Sequence, residues 1–129
     1  MRKIIQIFFV ALACLFVLSA CGTGNDAPAR AVEEYLTALV NKDVDSLSAL
    51  SCADWESTAL LEFDSLQAVE TRLEGMACTS TDNGDGSYAV VCQGKMIATY
   101  DNEDSDFDLA VRTYRVVEQG GDYLVCGNQ

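Results

Sequence analysis

The sequence contains no histidine, and its 8 lysine and arginine residues are outnumbered by 20 aspartate and glutamate residues. The absence of histidine excludes Ser-His-Asp triads and histidine-based acid–base catalysis. The formal net charge of −12 argues against a nucleic acid as partner, because phosphate binding needs a basic surface. The sequence also lacks a phosphate-binding glycine loop. The composition therefore excludes enzymes that depend on a catalytic histidine, and it argues against a phosphate-binding glycine loop and against a nucleic-acid partner.

The N-terminus has the pattern of a secretory signal peptide. Arg2 and Lys3 precede an apolar stretch over residues 4–20, which is at the short limit of the roughly 17 to 25 residues that span a bilayer. Its end, Leu-Ser-Ala-Cys at residues 18–21, resembles the lipobox of bacterial lipoproteins. The resemblance implies cleavage before Cys21 and attachment of a diacylglycerol to its thiol, often followed by acylation of the freed amine, for example with palmitate. An ordinary cleaved signal and a retained membrane helix are the alternatives.

The lipoprotein hypothesis divides the chain into three parts. Residues 1–20 are the signal peptide, residues 21–26 are the lipidated cysteine with a short tether, and residues 27–129 are a single domain. Two or three acyl chains would hold the protein stably on a membrane. The tether spans at most about 18 Å, so the domain would stay close to the lipid. We expect an extracytoplasmic protein anchored to the cell membrane or outer envelope.

Four cysteines remain once Cys14 leaves with the signal and Cys21 carries lipid. An even number of cysteines outside the cytoplasm predicts two disulfides. The four are Cys52, Cys78, Cys92 and Cys126. Zinc binding is the alternative, but the chain has no closely spaced cysteine pair and no histidine to support it. We therefore expect no zinc site and no cofactor.

The first half of the domain has helical periodicity. Asp26 is placed to cap a helix with Pro28 in its first turn. Apolar residues at helical spacing form one face of it, and they are Val32, Tyr35, Leu36, Leu39 and Val40. Asp43 is placed to cap a second helix that continues to Ser51. Residues 53–63 are predicted to form a short helix or turn over the core.

The second half alternates with period two, which is typical of strands. The predicted strands cover residues 76–79, 88–100, 107–118 and 123–126. Turn-forming residues occupy 82–86 and 120–121, and Gly94 predicts a bulge or bend. Helices followed by strands predict an α+β domain, with the helices packed on a curved antiparallel sheet of about four strands.

The predicted hairpin also suggests how the cysteines pair. If its turn centres on Asp85, Cys78 and Cys92 are equidistant from the turn and face each other across the two strands. This pairing leaves Cys52 with Cys126. The second bridge would join the helical layer to the last strand.

Four segments of the domain resemble the nuclear transport factor 2-like superfamily, an α+β cone also described as cystatin-like. They read AVEEYLTAL at 31–39, DVDSL at 43–47, YRVVE at 114–118 and YLVC at 123–126. The resemblance implies a helix that clasps a curved sheet. It further implies a cone that is open at one end and holds a small apolar ligand, or is filled and serves as a partner-binding module.

Isomerase-like chemistry in such a cone needs a tyrosine donor and a carboxylate of raised pKa in a dry pocket. The candidate donors are Tyr35, Tyr88, Tyr100 and Tyr114. The pattern places no carboxylate inside the cone, so we assign these tyrosines and Trp55 to the core and assign no catalytic residue.

Residues 101–106 are predicted to form an acidic turn before the third strand. Together with the residues that follow they supply the oxygen ligands that calcium prefers, namely Asp101, Glu103, Asp104, Asp106 and Asp108. The spacing does not fit the helix-loop-helix calcium pattern, because Leu109 stands where glycine is needed. We favour a solvated turn that discourages edge-to-edge pairing of strands.

Three hypotheses about function follow. The first is a membrane-tethered, non-catalytic module that binds a small apolar ligand or another envelope protein. The second is a small isomerase- or hydrolase-like enzyme that uses the cavity of the cone. The third is a homodimer formed through the exposed face of the sheet, where we expect Ala89, Val91 and Ile97.

Overall fold

The structure, a computed structural model, describes residues 26–129, and it consists of three helices followed by five strands. The helices are α1 (Ala27–Asn41), α2 (Val44–Ala49) and α3 (Ala53–Ser65). The strands are β1 (Glu70–Asp82), β2 (Ser87–Tyr100), β3 (Glu103–Asp108), β4 (Thr113–Gln119) and β5 (Asp122–Asn128). The predicted signal peptide and Cys21 lie outside the described residues. Within 26–129, no helix is long and apolar enough to cross a membrane.

The first two helices begin where the sequence predicts. The Asp26 carboxylate accepts a hydrogen bond from the Ala29 N–H at 3.3 Å, and Asp43 accepts one from the Ser46 N–H at 3.1 Å. Helix α1 ends where Lys42 adopts a left-handed conformation with φ 59°. Its predicted apolar face is buried, and α2 adds the fully buried Leu47. Local capping and amphipathicity therefore explain this layer.

Residues 53–63, predicted as a short helix or turn, belong to the complete helix α3. Only Ala59 is fully buried in this helix, while Trp55 and Phe63 pack partly buried against the core. Because most of its surface stays in contact with water, its apolar residues do not form the continuous stripe that marks α1.

One antiparallel sheet has the strand order β1-β2-β4-β5, and β3 pairs with β2 beside β4. The predicted strand 107–118 is in fact two strands separated by a 3₁₀ turn at Leu109–Val111. Strand β2 is long enough to pair with both. Its first half pairs with β4 and its second half pairs with β3. The sheet therefore has five strands where the sequence predicted about four, and the α+β class is confirmed.

The predicted acidic turn 101–106 is wrong in extent, because most of it is strand β3. The turn itself is only Asp101 and Asn102, with φ of 50° and 64°. These positive values are typical of the two-residue type I′ hairpin loop, whose twist matches that of the flanking strands.

Gly94 marks a bulge, although the extra residue is in the partner strand. The register changes from Glu74 opposite Lys95 to Ala77 opposite Gln93, so two residues of β1 face Gly94. A Cβ on Gly94 would lie 2.5 Å from the Glu74 carbonyl oxygen. The close approach of the two backbones therefore requires glycine here.

The structure contains the two predicted disulfides, Cys78–Cys92 and Cys52–Cys126. Cys78 lies directly opposite Cys92 in the β1–β2 register, with 4.0 Å between the Cα atoms. The second disulfide lies beside a short parallel bridge between Ser51 and Val125, and it joins the helical layer to β5. The disulfides thus fix both sides of a core formed by α1, α2 and the concave face of the sheet.

Candidate functional site

A cleft of about 430 Å³ lies between α3 and the second half of β2, with β3 along one side. Its apolar lining consists of Leu39, Leu66, Val69, Met96, Ala98, Tyr100 and Phe107. Two charged residues, Glu62 and Arg112, lie at its edge together with Ser65 and Ser105. A second hollow of about 270 Å³ adjoins it and shares Met96, Phe107 and Arg112. The two together form the open end of the cone.

Large apolar side chains are exposed around this opening. Tyr100 is 63% exposed, Phe107 is 51% exposed and Val111 is 75% exposed. Tyr100 and Phe107 line the cleft itself, and Val111 lines the adjoining hollow. Exposed apolar groups concentrated around a concave site are typical of binding surfaces.

A chain of hydrogen bonds connects the core to the edge of the cleft. The Trp55 indole N–H donates to the Tyr35 hydroxyl at 3.2 Å. The Tyr35 hydroxyl donates to Glu62 Oε2 at 3.3 Å. The other oxygen of Glu62 accepts from Arg112 Nη1 at 2.9 Å. Both carboxylate oxygens of Glu62 are therefore engaged by the protein.

The environment keeps both central tyrosines protonated. Burial, together with the negative charge of Glu62, raises the pKa of Tyr35 well above its ordinary value of 10.0. Burial also raises the pKa of Tyr114, although the nearby Arg112 opposes the shift. The two rings pack with their centroids 6.2 Å apart. At neutral pH each hydroxyl remains a neutral hydrogen-bonding group.

Arg112 keeps its positive charge despite partial burial. Burial alone lowers its pKa, but Glu62 and Tyr114 outweigh that effect and raise the pKa above the ordinary value of an arginine. About half of the Arg112 side chain stays in contact with solvent, against 22% for Glu62. The cleft edge therefore presents a guanidinium whose exposed N–H groups can reach a ligand.

Glu62 is the site residue that sequence analysis missed, and the expectation of no carboxylate in the cone is wrong at this position. The error came from the treatment of residues 53–63 as a short helix or turn. In a complete helix, Trp55, Ala59 and Glu62 follow one another at spacings of four and three, which places them on one face. That spacing is the signal that could have found Glu62.

The other two predicted donors, Tyr88 and Tyr100, take no part in the chain of hydrogen bonds from Trp55 to Arg112. Tyr88 stacks edge-on against Tyr123, with ring centroids 5.7 Å apart, away from the cleft. Tyr100 is at the rim of the cleft and mostly exposed, so its assignment to the core is wrong.

The acidic residues proposed for calcium do not converge. Asp104 bonds to Arg72 at 2.9 Å and also accepts from Thr99. Asp106 forms an ion pair with Lys95 at 2.9 Å. Asp108 instead caps the following 3₁₀ turn by accepting from the Ala110 N–H. In the part of the chain that the structure describes, no three His, Cys, Asp or Glu side chains are grouped to hold a metal ion.

The outer face of the sheet is less apolar than the sequence predicts. Ile97 is only 3% exposed, although it belongs to the face opposite the core. Charged neighbours on β1 and β3, including Arg72 and Asp106, lie directly opposite it in the register. Val91 remains 39% exposed, and Ala89 is half-buried. The apolar area available for a dimer is correspondingly smaller.

Another hollow, of about 530 Å³, lies along the polar side of α1. Charged and polar residues supply most of its lining, among them Arg30, Glu34 and Asn41. Glu33 in this groove already accepts a hydrogen bond from the Cys78 N–H at 3.0 Å. The groove lies between α1, the segment of α2 and Met76 of β1, and the cleft is the better candidate site.

Known structures agree with this architecture. A crystallised uncharacterised protein with a cystatin-like fold from Caulobacter vibrioides matches with a TM-score of 0.57 and 14% identity, over 84% of this chain and 89% of that one. A substituted form of the NTF2 design Rd1NTF2_05 matches with a TM-score of 0.52 and 10% identity, over 74% and 89%. The fold is NTF2-like.

A third similar structure is a SEC-C motif containing protein from Rhodopseudomonas palustris, with a TM-score of 0.55 and 11% identity over 81% of this chain and 80% of that one. No family model and no curated protein matches the sequence. At these identities the NTF2-like likeness concerns the fold, so function has to be argued from the cleft itself.

Proposed function

We propose that this chain is a lipid-anchored extracytoplasmic binding protein, and that the cleft at the open end of the cone is its binding site. The observation that supports the site is the apolar cleft of about 430 Å³ with an ion pair at its edge. Sites for small molecules and for protruding side chains have this composition, a mostly apolar wall with a few polar groups that orient the ligand.

Binding is a better account of the cleft than catalysis. An isomerase-like enzyme needs a carboxylate that is free to take a proton from its substrate. Glu62 is the only carboxylate among the cleft-lining residues, and Tyr35 and Arg112 occupy its two oxygens. We therefore assign Glu62 to holding Arg112 in position, and Arg112 to contacting the ligand.

The enzyme hypothesis remains the second candidate because Tyr35 and Glu62 are in contact beside the cleft. It would require Glu62 to leave Arg112 when substrate binds. The two candidates differ in one variant: Glu62→Gln would abolish catalysis, whereas a binding protein would keep its ligand with reduced affinity.

The proposed anchor and the cleft would be at opposite ends of the molecule. Asp26, the first described residue, contacts Ser80 near the hairpin end of β1, whereas Leu39, near the end of α1, lines the cleft. A helix of 15 residues is about 22 Å long. A tether that ends at Asp26 would therefore leave the cleft facing away from the membrane.

The anchor can be tested by labelling with radioactive palmitate in a bacterial host that processes lipoproteins, with the mass of the product read alongside. The unaltered chain should carry label and lack residues 1–20, whereas Cys21→Ala should stay unlabelled and keep the apolar residues 4–20. Cys14→Ala is the matched control, since that residue would be removed with the signal peptide, and it should behave like the unaltered chain. Equal labelling of all three proteins, or label on none of them, would contradict the anchor.

The cleft can be tested with the fluorescent probe 8-anilinonaphthalene-1-sulfonate, whose emission rises in apolar sites. Ala98 lines the cleft, so Ala98→Trp should fill it and remove most of the signal. Ala77→Trp adds the same side chain at an exposed position of β1 outside the cleft and should leave the signal unchanged. Equal fluorescence from both variants would contradict the proposed site.

A further inference from the structure

The sheet has three outer edges within the described residues, and the chain covers two of them. Along β1, Glu33 accepts from the Cys78 N–H at 3.0 Å and Asp26 accepts from the Ser80 N–H at 2.9 Å. Along β5, the Val125 N–H donates to the Leu50 carbonyl at 2.8 Å. Side chains of α1 and the segment after α2 thus occupy edge groups that could otherwise pair with another strand.

The third edge, along β3, is open among residues 26–129. In this range strand β3 pairs with β2 alone, and all six of its residues are exposed. Because Tyr100 and Glu103 close the type I′ hairpin, they form a hydrogen-bonded pair, and alternate residues of β3 bond to β2 in the same way. The intervening residues, Asp104 and Asp106, therefore direct their backbone N–H and C=O groups away from the sheet.

The open edge borders the cleft. Ser105 and Phe107 of β3 line the cleft, while the side chains of Asp104 and Asp106 pair with basic residues of the outer face. A strand added to β3 would alternate in the same way. Its side chains on one face would lie over the cleft, beside Phe107, and those on the other face would lie beside the aspartates.

The charge of β3 specifies the partner. Four of its residues are acidic and none is basic, and they are Glu103, Asp104, Asp106 and Asp108. Arg72 and Lys95 neutralise two of these carboxylates, which leaves an excess of negative charge along the edge. A second copy of β3 would bring two acidic strands together, so self-pairing is disfavoured. An extended segment with basic residues fits instead.

We infer that β3 accepts an extended segment of a partner protein by strand addition, with apolar side chains of the segment in the cleft and alternate Lys or Arg side chains beside the aspartates. This inference rests on the proposed function, because the cleft is the same site. Strand addition supplies affinity through backbone hydrogen bonds and specificity through alternate side chains.

The test uses the full chain in detergent and a labelled synthetic peptide in which Lys alternates with Val and Phe. The peptide should bind, and a peptide with Glu in place of Lys should not. A third peptide, N-methylated at every second residue, keeps the side chains but loses backbone donors and should bind about tenfold more weakly or worse. Equal binding of the methylated peptide would overturn strand addition.

Two variants of Asp106 separate the contribution of its backbone N–H from that of its carboxylate charge. Asp106→Pro removes the outward N–H, which an edge strand tolerates, and should weaken peptide binding about tenfold. Asp106→Asn keeps that N–H and removes one charge, so it should weaken binding about threefold and reduce its salt dependence. An equal effect of both variants would contradict a backbone contact, provided that their unfolding midpoints match.

The outcomes also distinguish this inference from the proposed function. If the fluorescent probe occupies the cleft and no Lys-containing peptide binds, strand addition is wrong while the binding site stands. If neither the probe nor a peptide binds, both are wrong. Peptide binding that persists in Ala98→Trp would place the partner on β3 without the cleft and would overturn the inference as stated.

Discussion

The two halves of β2 have opposite roles although they belong to one continuous strand. In the first half, Val90 and Cys92 are fully buried and the strand lies between β1 and β4. In the second half only Met96 reaches the core, and Tyr100 is mostly exposed. Stability is thus concentrated before Gly94 and the binding surface after it.

Gly94 separates the halves physically. The bulge opposite Gly94 adds a residue to β1 at this point, which increases the local twist and re-aims the strands beyond it. After the bulge, β2 changes its second partner from β4 to β3. The comparison teaches that a mostly apolar strand can serve two purposes when its neighbours change along its length.

The largest expected effect comes from removing the disulfide of the buried half. Cys78→Ala with Cys92→Ala opens a loop closed by a sequence separation of 14, which should lower the free energy of unfolding by about 3 kcal/mol. Urea denaturation under non-reducing conditions measures this. A loss below about 1 kcal/mol would show that the two strands are held by packing alone.

Shortening one side chain on either side of Gly94 directly tests whether the first half of β2 contributes more stability than the second half. Val90→Ala removes fully buried methyl groups and should cost about 2 kcal/mol. Met96→Ala removes a larger side chain that is only partly buried beside the cleft, so it should cost about 1 kcal/mol. If thermal or urea unfolding shows equal losses of stability for the two variants, the second half of β2 contributes as much to the core as the first half does.

The close approach of the two backbones at Gly94 can be tested by substituting two glycines. Gly94→Ala places a methyl group against the backbone of β1 and should cost about 2 kcal/mol. Gly84→Ala is the matched control, because that residue also has a positive φ of 80° but no atom within 4 Å of the added Cβ. The control should cost about 1 kcal/mol. A smaller effect at Gly94 would contradict the close approach.

The acid dependence of stability should involve Asp26, which accepts a hydrogen bond from the Ser80 N–H near the hairpin end of β1. Partial burial acts to raise the pKa of Asp26, but hydrogen bonds from Ser80 and Ala29 outweigh it and hold the pKa below 3.8. A pKa that is lower in the folded state contributes stability above about pH 4, and this is lost as the pH falls through the folded pKa. Asp26→Ala should therefore cost about 1 kcal/mol at neutral pH and less in acid.

Urea midpoints of Asp26→Ala and the unaltered protein, taken from about pH 7 down to about pH 2.5, should converge at the acid end. Asp45→Ala is the control, since Asp45 is an exposed residue inside α2. Parallel curves across the whole range would show that Asp26 acts without its charge.

The smallest loss of stability is expected from a substitution on the outer face of the sheet, opposite the second half of β2. Arg72 is about half exposed and pairs with Glu74 and Asp104. Exposed ion pairs contribute little, so Arg72→Ala should cost less than about 1 kcal/mol, and high salt should reduce the difference further. A larger loss that salt does not reduce would indicate that the arginine mainly covers Ile97.

The features predicted correctly from the sequence depend on neighbours along the chain. Asp26 and Asp43 cap helices because a short carboxylate side chain reaches the N–H groups two or three residues ahead. Cys78 and Cys92 face each other because a tight turn fixes the register of its own hairpin. The α+β class follows from the same local periodicities, and it was predicted in full.

The features that were missed depend on distant residues. Helix α3 keeps most of its surface in water, so its pattern did not reveal that Glu62 faces the cleft. Residues 103–108 are acidic enough to resemble a loop, yet they form β3 because Arg72 and Lys95 balance two of the aspartates and β2 offers a free edge. In both segments, tertiary contacts outweighed what the local sequence pattern favours.

The sequence by itself determined the caps of α1 and α2 and the hairpin register with its Cys78–Cys92 pair, because short-range geometry decides each of them. The pairing of Cys52 with Cys126 followed by elimination. Only the tertiary structure decided where β2 changes partners, how Tyr35, Glu62 and Arg112 meet, and that β3 borders an apolar cleft. Those contacts join residues far apart in the chain, and their free energy depends on burial and pairing that no local pattern encodes.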